Sequence, residues 1–133
     1  MKKLVVTPHA ANWGDLPYSQ GVIDAGLVYV SGQLGVNLPD GGPAEGIHAQ
    51  TDSVLRQIEA ILAAAGCGMD DVLKTTCYLV NRERDYVGFN EVYKKYFKNP
   101  AAYPARVTVE VSALAPGYVI EIEAIARQGG EAR

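Results

Sequence analysis

The sequence is poor in the residues that mark most special chemistries. Two histidines, His9 and His48, and two cysteines, Cys67 and Cys77, stand far apart in a chain of 133 residues. No Cys-His-carboxylate spacing suggests a metal site, so none is expected. The cysteines form neither a CxxC motif nor a disulfide framework, which points to a reducing compartment where they stay thiols. Cys77 lies inside an apolar strand pattern and is expected in the core. No apolar run approaches the roughly 20 residues that a membrane-spanning helix needs. The start, MKKLVVTPHAAN, carries two lysines, but its apolar stretch stops at Pro8, too short for a signal peptide. No membrane partner is expected, and the expected location is the cytoplasm.

A basic excess is also lacking. The net charge is −3, which gives no long-range attraction to phosphate backbones, so no nucleic-acid partner is expected. Lys94, Lys95 and Lys98 recur at helical spacing beside aromatics and read as a solvated helix face. Neither GQLG nor DGGPAEG is a phosphate loop, and Ser31 has no neighbouring histidine or strand-to-helix elbow that would mark a nucleophile. No repeat, low-complexity tract or linker divides the chain, which reads as a single domain over residues 1–133.

What is present is an ordinary globular balance, 48% hydrophobic and 20% charged. Leu4 to Val6 and Val22 to Ser31 read as strands, and the turn-like Asp24-Ala25-Gly26 splits the second into a hairpin. Between Asn37 and Gly46, NLPDGGPAEG is a loop. From His48 to Ala65, Val54, Leu55, Ile58, Ile61, Leu62 and Ala65 form the stripe of an amphipathic helix that Gly66 ends. A strand follows from Val72 to Val80. Tyr86, Phe89, Tyr93, Tyr96 and Phe97 repeat the helical stripe, and Pro100 forbids its continuation, so a second helix runs to about Lys98. Arg106 to Val111 and Val119 to Ala126 are the last strands, expected to form a hairpin through SALAPGY. The fold class is α+β, a mixed β-sheet with two helices packed on one face.

In the last two strands apolar and polar residues alternate. Val107, Val109 and Val111 alternate with Arg106, Thr108 and Glu110; Ile120, Ile122 and Ala124 alternate with Glu121 and Glu123. Successive side chains point to opposite faces, so the expectation is one aliphatic face under the helices and one face that collects the arginine and up to three carboxylates. That polar face has two readings: a solvated surface with cross-strand ion pairs, or the lining of a pocket at a subunit interface where arginine grips a carboxylate and a glutamate moves protons.

Six ordered stretches carry a resemblance. PYSQG (17–21), VSGQLG (30–35), KTTCYLV (74–80), FNEVYKKYF (89–97), PARVTVEV (104–111) and IEIEAIA (120–126) are similar in order and spacing to the RidA family, also called the YjgF family. The match covers about residues 17–126. It implies a chorismate-mutase-like homotrimer with clefts between subunits and hydrolysis of reactive enamines and imines, such as 2-aminoacrylate, to a 2-keto acid and ammonia without a cofactor. By motif, Arg106 resembles the carboxylate-binding arginine and Glu121 the water-positioning glutamate. Tyr18, Ser31 and Asn90 are similar to the pocket-lining tyrosine, serine and asparagine. Thr108 stands where some members carry a cysteine, so a thiol's role does not transfer, although its hydroxyl can donate a hydrogen bond.

These residue types suit the chemistry. An imino acid is already electrophilic at its C=N carbon, so an enzyme needs to hold the carboxylate, place a water and manage protons. A guanidinium fixes orientation as well as charge through two parallel bonds. A glutamate near arginine stays ionised and accepts a proton from water, while burial acts the other way on its pKa. In PYSQG, Pro17 stiffens the approach and Gly21 frees the exit, so Tyr18 can enter a small-acid pocket with Ser19 and Gln20 as support. Trp13, close by, is placed to narrow that cleft. Two alternatives to a general enamine/imine deaminase stand: a pathway-specific enzyme such as a 2-aminomuconate deaminase, and a non-catalytic trimeric small-carboxylate binder or chaperone-like protein.

Overall fold

The computed structural model describes residues 1–38 and 40–128. Along the chain run β1 (Lys3–Val5), β2 (Gly21–Asp24), β3 (Leu27–Leu34), α1 (Gly46–Ala64), β4 (Val72–Leu79), α2 (Arg82–Tyr96), β5 (Ala105–Glu110) and β6 (Ile120–Arg127). The strands form one sheet in the order β1-β2-β3-β6-β4-β5, antiparallel at every step except the parallel pair β4–β5. The β2–β3 hairpin turns at Ala25-Gly26, both with positive φ (52° and 80°), the backbone a tight two-residue turn demands.

Both helices cover one face of the sheet. The α1 stripe is sealed, with Val54, Leu55, Ile58, Ile61 and Leu62 fully buried over β3 and β6, and α2 lies beside it. Gly66, at φ +83°, ends the first helix in the left-handed conformation. Asn81 caps α2 by accepting from the Arg84 amide at 3.0 Å; Glu83 and Asp85 in the first turn and Lys94 and Lys95 in the last complement its dipole. Phe89, Tyr93 and Phe97 stack along its buried side at 5.4 and 4.5 Å. In β6 the expected alternation holds: Ile120, Ile122 and Ala124 are buried under the helices, while Glu121 and Glu123 point to the other face.

Two expectations fail. The last two strands are not a hairpin, because β4 lies between them. The connection from Val111 to Val119 hops over the end of β4, whose Leu79 carbonyl accepts from Val111 while Val80 donates to Val119. A connection of that length does not force its strands to be neighbours, and the apolar side of β6 is better covered between β3 and β4.

The phase of β5 is also inverted. The register pairs Thr75 with Arg106 and Cys77 with Thr108, and Thr75 and Cys77 are both fully buried on the helix side. Arg106 and Thr108 therefore face α2. Val107 and Val109, 43% and 38% exposed, join Tyr29, Glu121 and Glu123 on the face that no helix covers. Alternation within a strand defines two faces, but a neighbour's register decides which face is which.

Candidate active site

Arg106 sits on the edge strand beneath α2. Its Nη1 donates to Asn90 Oδ1 at 2.7 Å and its Nη2 to the Tyr86 hydroxyl at 3.2 Å. The guanidinium lies over the Phe89 and Tyr93 rings, 5.0 and 4.8 Å from their centroids. Helical spacing explains the grouping, since Tyr86, Phe89, Asn90 and Tyr93 share one side of α2. Asn90, off the aromatic stripe, turns to this cleft. Among the described residues no carboxylate pairs with Arg106, so a half-buried cation is held in place and left without a counter-charge. It opens on a cavity of about 340 Å³ walled by Tyr93, Phe97, Tyr103 and Pro104, with Lys94 at its rim.

The surroundings carry the mark of that charge. Burial pushes the Cys77 thiol up to about 11, with Arg106 acting against it. Burial likewise pushes Tyr93, hydrogen-bonded to Thr75 at 2.8 Å, up to about 12. Tyr86 is moved the other way, by its hydrogen bond with Asn90 first and by the Arg106 charge second. Thr108, two residues along from Arg106 on the same face, has a buried hydroxyl with no hydrogen-bond partner among the described residues. Sequence reasoning missed Tyr86, Phe89 and Tyr93 as parts of this cluster, because a stripe of aromatics reads as core; only Arg106 facing them shows otherwise.

A second cluster gathers around Glu121. Its carboxyl lies against Gly32 of β3, close enough that a Cβ there would stand 2.0 Å from Oε2. Burial, and then the like charge of Glu123, hold its pKa above the usual carboxylate range. Burial prevails here because, among the described residues, no arginine acts against it. Ser31, next to Gly32, donates from its hydroxyl to the Ser19 carbonyl and from its amide to the Gln20 carbonyl at 3.0 Å, which ties PYSQG to β3. Gln20 is buried and binds the incoming segment through the Thr7 amide and the Thr7, Ala10 and Ala11 carbonyls. The Tyr18 hydroxyl donates to the Ala11 carbonyl at 3.3 Å and accepts from the Trp13 amide at 3.2 Å, with its ring half exposed. Trp13 itself packs edge-on against Tyr118 at 6.3 Å.

The structure thus joins Arg106 with Asn90 and Thr108, and separately Ser31 with the PYSQG segment and, through Gly32, with Glu121. It does not bring the two sets together in one chain. Thr75 is paired with Arg106 and Tyr78 with Glu121, and residues three apart on β4 point to opposite faces. The expected single face bearing both arginine and glutamate does not exist. A direct Arg106–Glu121 pair within a chain is excluded by the sheet between them.

Residues 10–128 match the profile of the family described as endoribonuclease L-PSP. The chain belongs to this family, the RidA (YjgF) family. Among its RidA-family relatives, a RutC family protein of Saccharolobus solfataricus is 47% identical over 114 residues, 84% of this chain and 87% of that protein. A human protein named 2-iminobutanoate/2-iminopropanoate deaminase is 42% identical over 115 residues, 85% of this chain and 81% of that protein. In three dimensions, the crystal structure of E. coli TdcF with bound serine superposes with a TM-score of 0.87 at 34% identity, covering 96% of this chain and 99% of that one. The RidA-family match begins upstream of PYSQG and takes in Tyr18, Ser31, Asn90, Arg106, Thr108 and Glu121.

Proposed function

We propose that this protein is a hydrolase that deaminates 2-enamino and 2-imino carboxylates, such as 2-aminoacrylate and its tautomer 2-iminopropanoate, to 2-keto acids and ammonia. The observation that carries the reading is Arg106: a cation fixed by Asn90 and Tyr86, flanked by aromatic faces and, among the described residues, without a counter-charge, at the mouth of a cavity. A small carboxylate supplies what it lacks. The names of relatives near 42% identity, human and bovine, support the reaction class. The bound serine of TdcF supports an amino-acid-sized ligand.

The catalytic unit is a homotrimer with its sites between subunits. Arg106 and Glu121 lie on opposite faces of one sheet, so a site that uses both takes them from two chains. The uncovered sheet face, with Tyr29, Val107 and Val109 exposed among carboxylates, is the surface that such an assembly buries. In the cleft, Arg106 with Asn90 binds the substrate carboxylate, while the Thr108 hydroxyl is buried beside Cys77. Ionised Glu121, made more basic by burial, takes a proton as water adds to C2, giving the tetrahedral carbinolamine. With the imine entering protonated on nitrogen, that proton passes from Glu121 to the amine, Glu121 takes the hydroxyl proton as the C–N bond breaks, and the ammonia released carries it off as ammonium, leaving the keto acid. Tyr18 and Ser31 contribute the wall opposite Arg106. The reaction needs no cofactor, because the C=N carbon is already electrophilic. A net charge of −3 supports a small-molecule role over RNA, and the thiols fit a cytoplasmic setting.

The apolar cavity beside Arg106 is larger than a three-carbon acid fills, which favours, as a second reading, enamines with longer side chains. The test is a coupled assay: a pyridoxal-phosphate dehydratase generates 2-aminoacrylate from serine, and pyruvate release is followed with and without this protein. Faster release supports the proposal and an unchanged rate refutes it. Imino acids made from larger amino acids, assayed in parallel, decide between the two substrate classes.

A further inference from the structure

Gly32 interrupts β3 at a bulge. Val30 pairs with Ala124 and Gln33 with Ile122, so Ser31 and Gly32 together oppose the single residue Glu123. Glycines at such places commonly serve a left-handed backbone, but Gly32 is not one of this chain's positive-φ glycines, and its conformation is open to other residues. Space is what selects glycine. A Cβ there would stand 2.0 Å from Glu121 Oε2, 2.9 Å from its carboxyl carbon and 3.2 Å from Cγ, and these are the three nearest atoms. Gly21 and Gly35, by contrast, make room for the core side chains of Ile61 and Gln50.

We infer that Gly32 is the positioning residue of Glu121: the missing side chain leaves a seat on the β3 bulge in which the carboxyl rests, aimed along the uncovered face. The inference rests on the proposed role of Glu121 as base and adds what holds that base in place. The same seat half-buries the carboxyl, in line with its raised pKa. A methyl group at position 32 would push Oε2 from 2.0 Å to at least the ordinary contact of 3.4 Å, a shift of 1.4 Å. Misplacement on this scale costs on the order of 10²-fold in rate. The yielding atoms are the end of a flexible side chain, so the fold should survive.

The test is a double-mutant cycle on the full-length protein with kcat and KM measured for Gly32→Ala, Glu121→Gln and both together. The expected result is a kcat lower by roughly 10- to 10²-fold for Gly32→Ala with KM changed less than about threefold, and a double variant no slower than Glu121→Gln alone. Losses that multiply in the double variant overturn the inference, since Gly32 would then act independently of Glu121. Wild-type kcat in Gly32→Ala beside a slow Glu121→Gln overturns it too. A fast Glu121→Gln removes the premise, and this failure is distinct because it appears in that variant alone. A crystal structure of Gly32→Ala gives a readout apart from turnover: a displaced carboxyl supports the seat, and one found in its present place overturns it.

Discussion

Removing the Arg106 guanidinium tests the substrate anchor. Of its five N–H donors, one goes to Asn90 and one to Tyr86, which leaves three for a carboxylate in a group whose orientation is already set. Loss of a buried charge-assisted pair costs roughly 2–5 kcal/mol, or about 30- to several-thousand-fold in kcat/KM for Arg106→Ala. The anchor holds ground and transition states alike, so the loss should appear mainly as a higher KM, with kcat falling only as far as the substrate loses its orientation. Arg106→Lys keeps a charge but loses the planar fork and the ties to Asn90 and Tyr86, and should fall between wild type and Arg106→Ala. The partners left behind are only partly buried and can bind water, so both variants should fold. The assay is the dehydratase-coupled release of keto acid across a range of imine concentrations. A kcat/KM for Arg106→Ala within about threefold of wild type, far below the expected loss, would refute the reasoning.

Three further variants probe the structure. Glu121→Gln should lower kcat by roughly 10²–10⁴ with little change in KM, as for loss of a general base. Because the Glu121 pKa is raised in the fold, its favourable contribution to stability is present below the ordinary value of 4.5 and is lost as pH rises through the folded value; Glu121→Gln should therefore raise Tm at neutral pH but not under acid conditions, as checked by calorimetry. Glu123→Gln removes the like charge that helps hold the Glu121 pKa up, so the acid limb of the kcat profile should move to lower pH; an unmoved limb contradicts that coupling. Gln20→Leu strands the buried Thr7 amide and the Thr7 and Ala10 carbonyls, the Ala11 carbonyl keeping the Tyr18 hydroxyl, and should cost about 1–3 kcal/mol in urea unfolding, whereas a negligible loss would contradict its structural role.

Much of the fold is legible along the chain. The α1 and α2 stripes, the β2–β3 turn and the alternation in β6 are local patterns, and each appears within a few residues of its expected place. Sheet order was out of reach because it depends on which edge offers β6 the better cover, and adjacency in sequence suggested a hairpin that does not form. The phase of β5 was hidden for a related reason: Arg106 and Val107 alternate whichever way they face, and only the pairing of Arg106 with Thr75 settles it. The motifs single out Arg106 and Glu121, yet the division of the two between opposite faces cannot be read from spacing. The absence that seats Glu121, the missing side chain of Gly32, looks in sequence like ordinary turn architecture.

The central claim, that each site joins Arg106 of one chain to Glu121 of another, is tested most directly by complementation. The Arg106→Ala and Glu121→Gln proteins, each expected to be nearly inactive, are mixed in equal amounts, unfolded and refolded together, and assayed for imine hydrolysis. In randomly assorted trimers a cleft draws an intact Arg106 from one chain and an intact Glu121 from the next with a chance of one half times one half, so about a quarter of wild-type activity should return. Refolded mixtures that form trimers but stay as inactive as the separate variants would contradict the account.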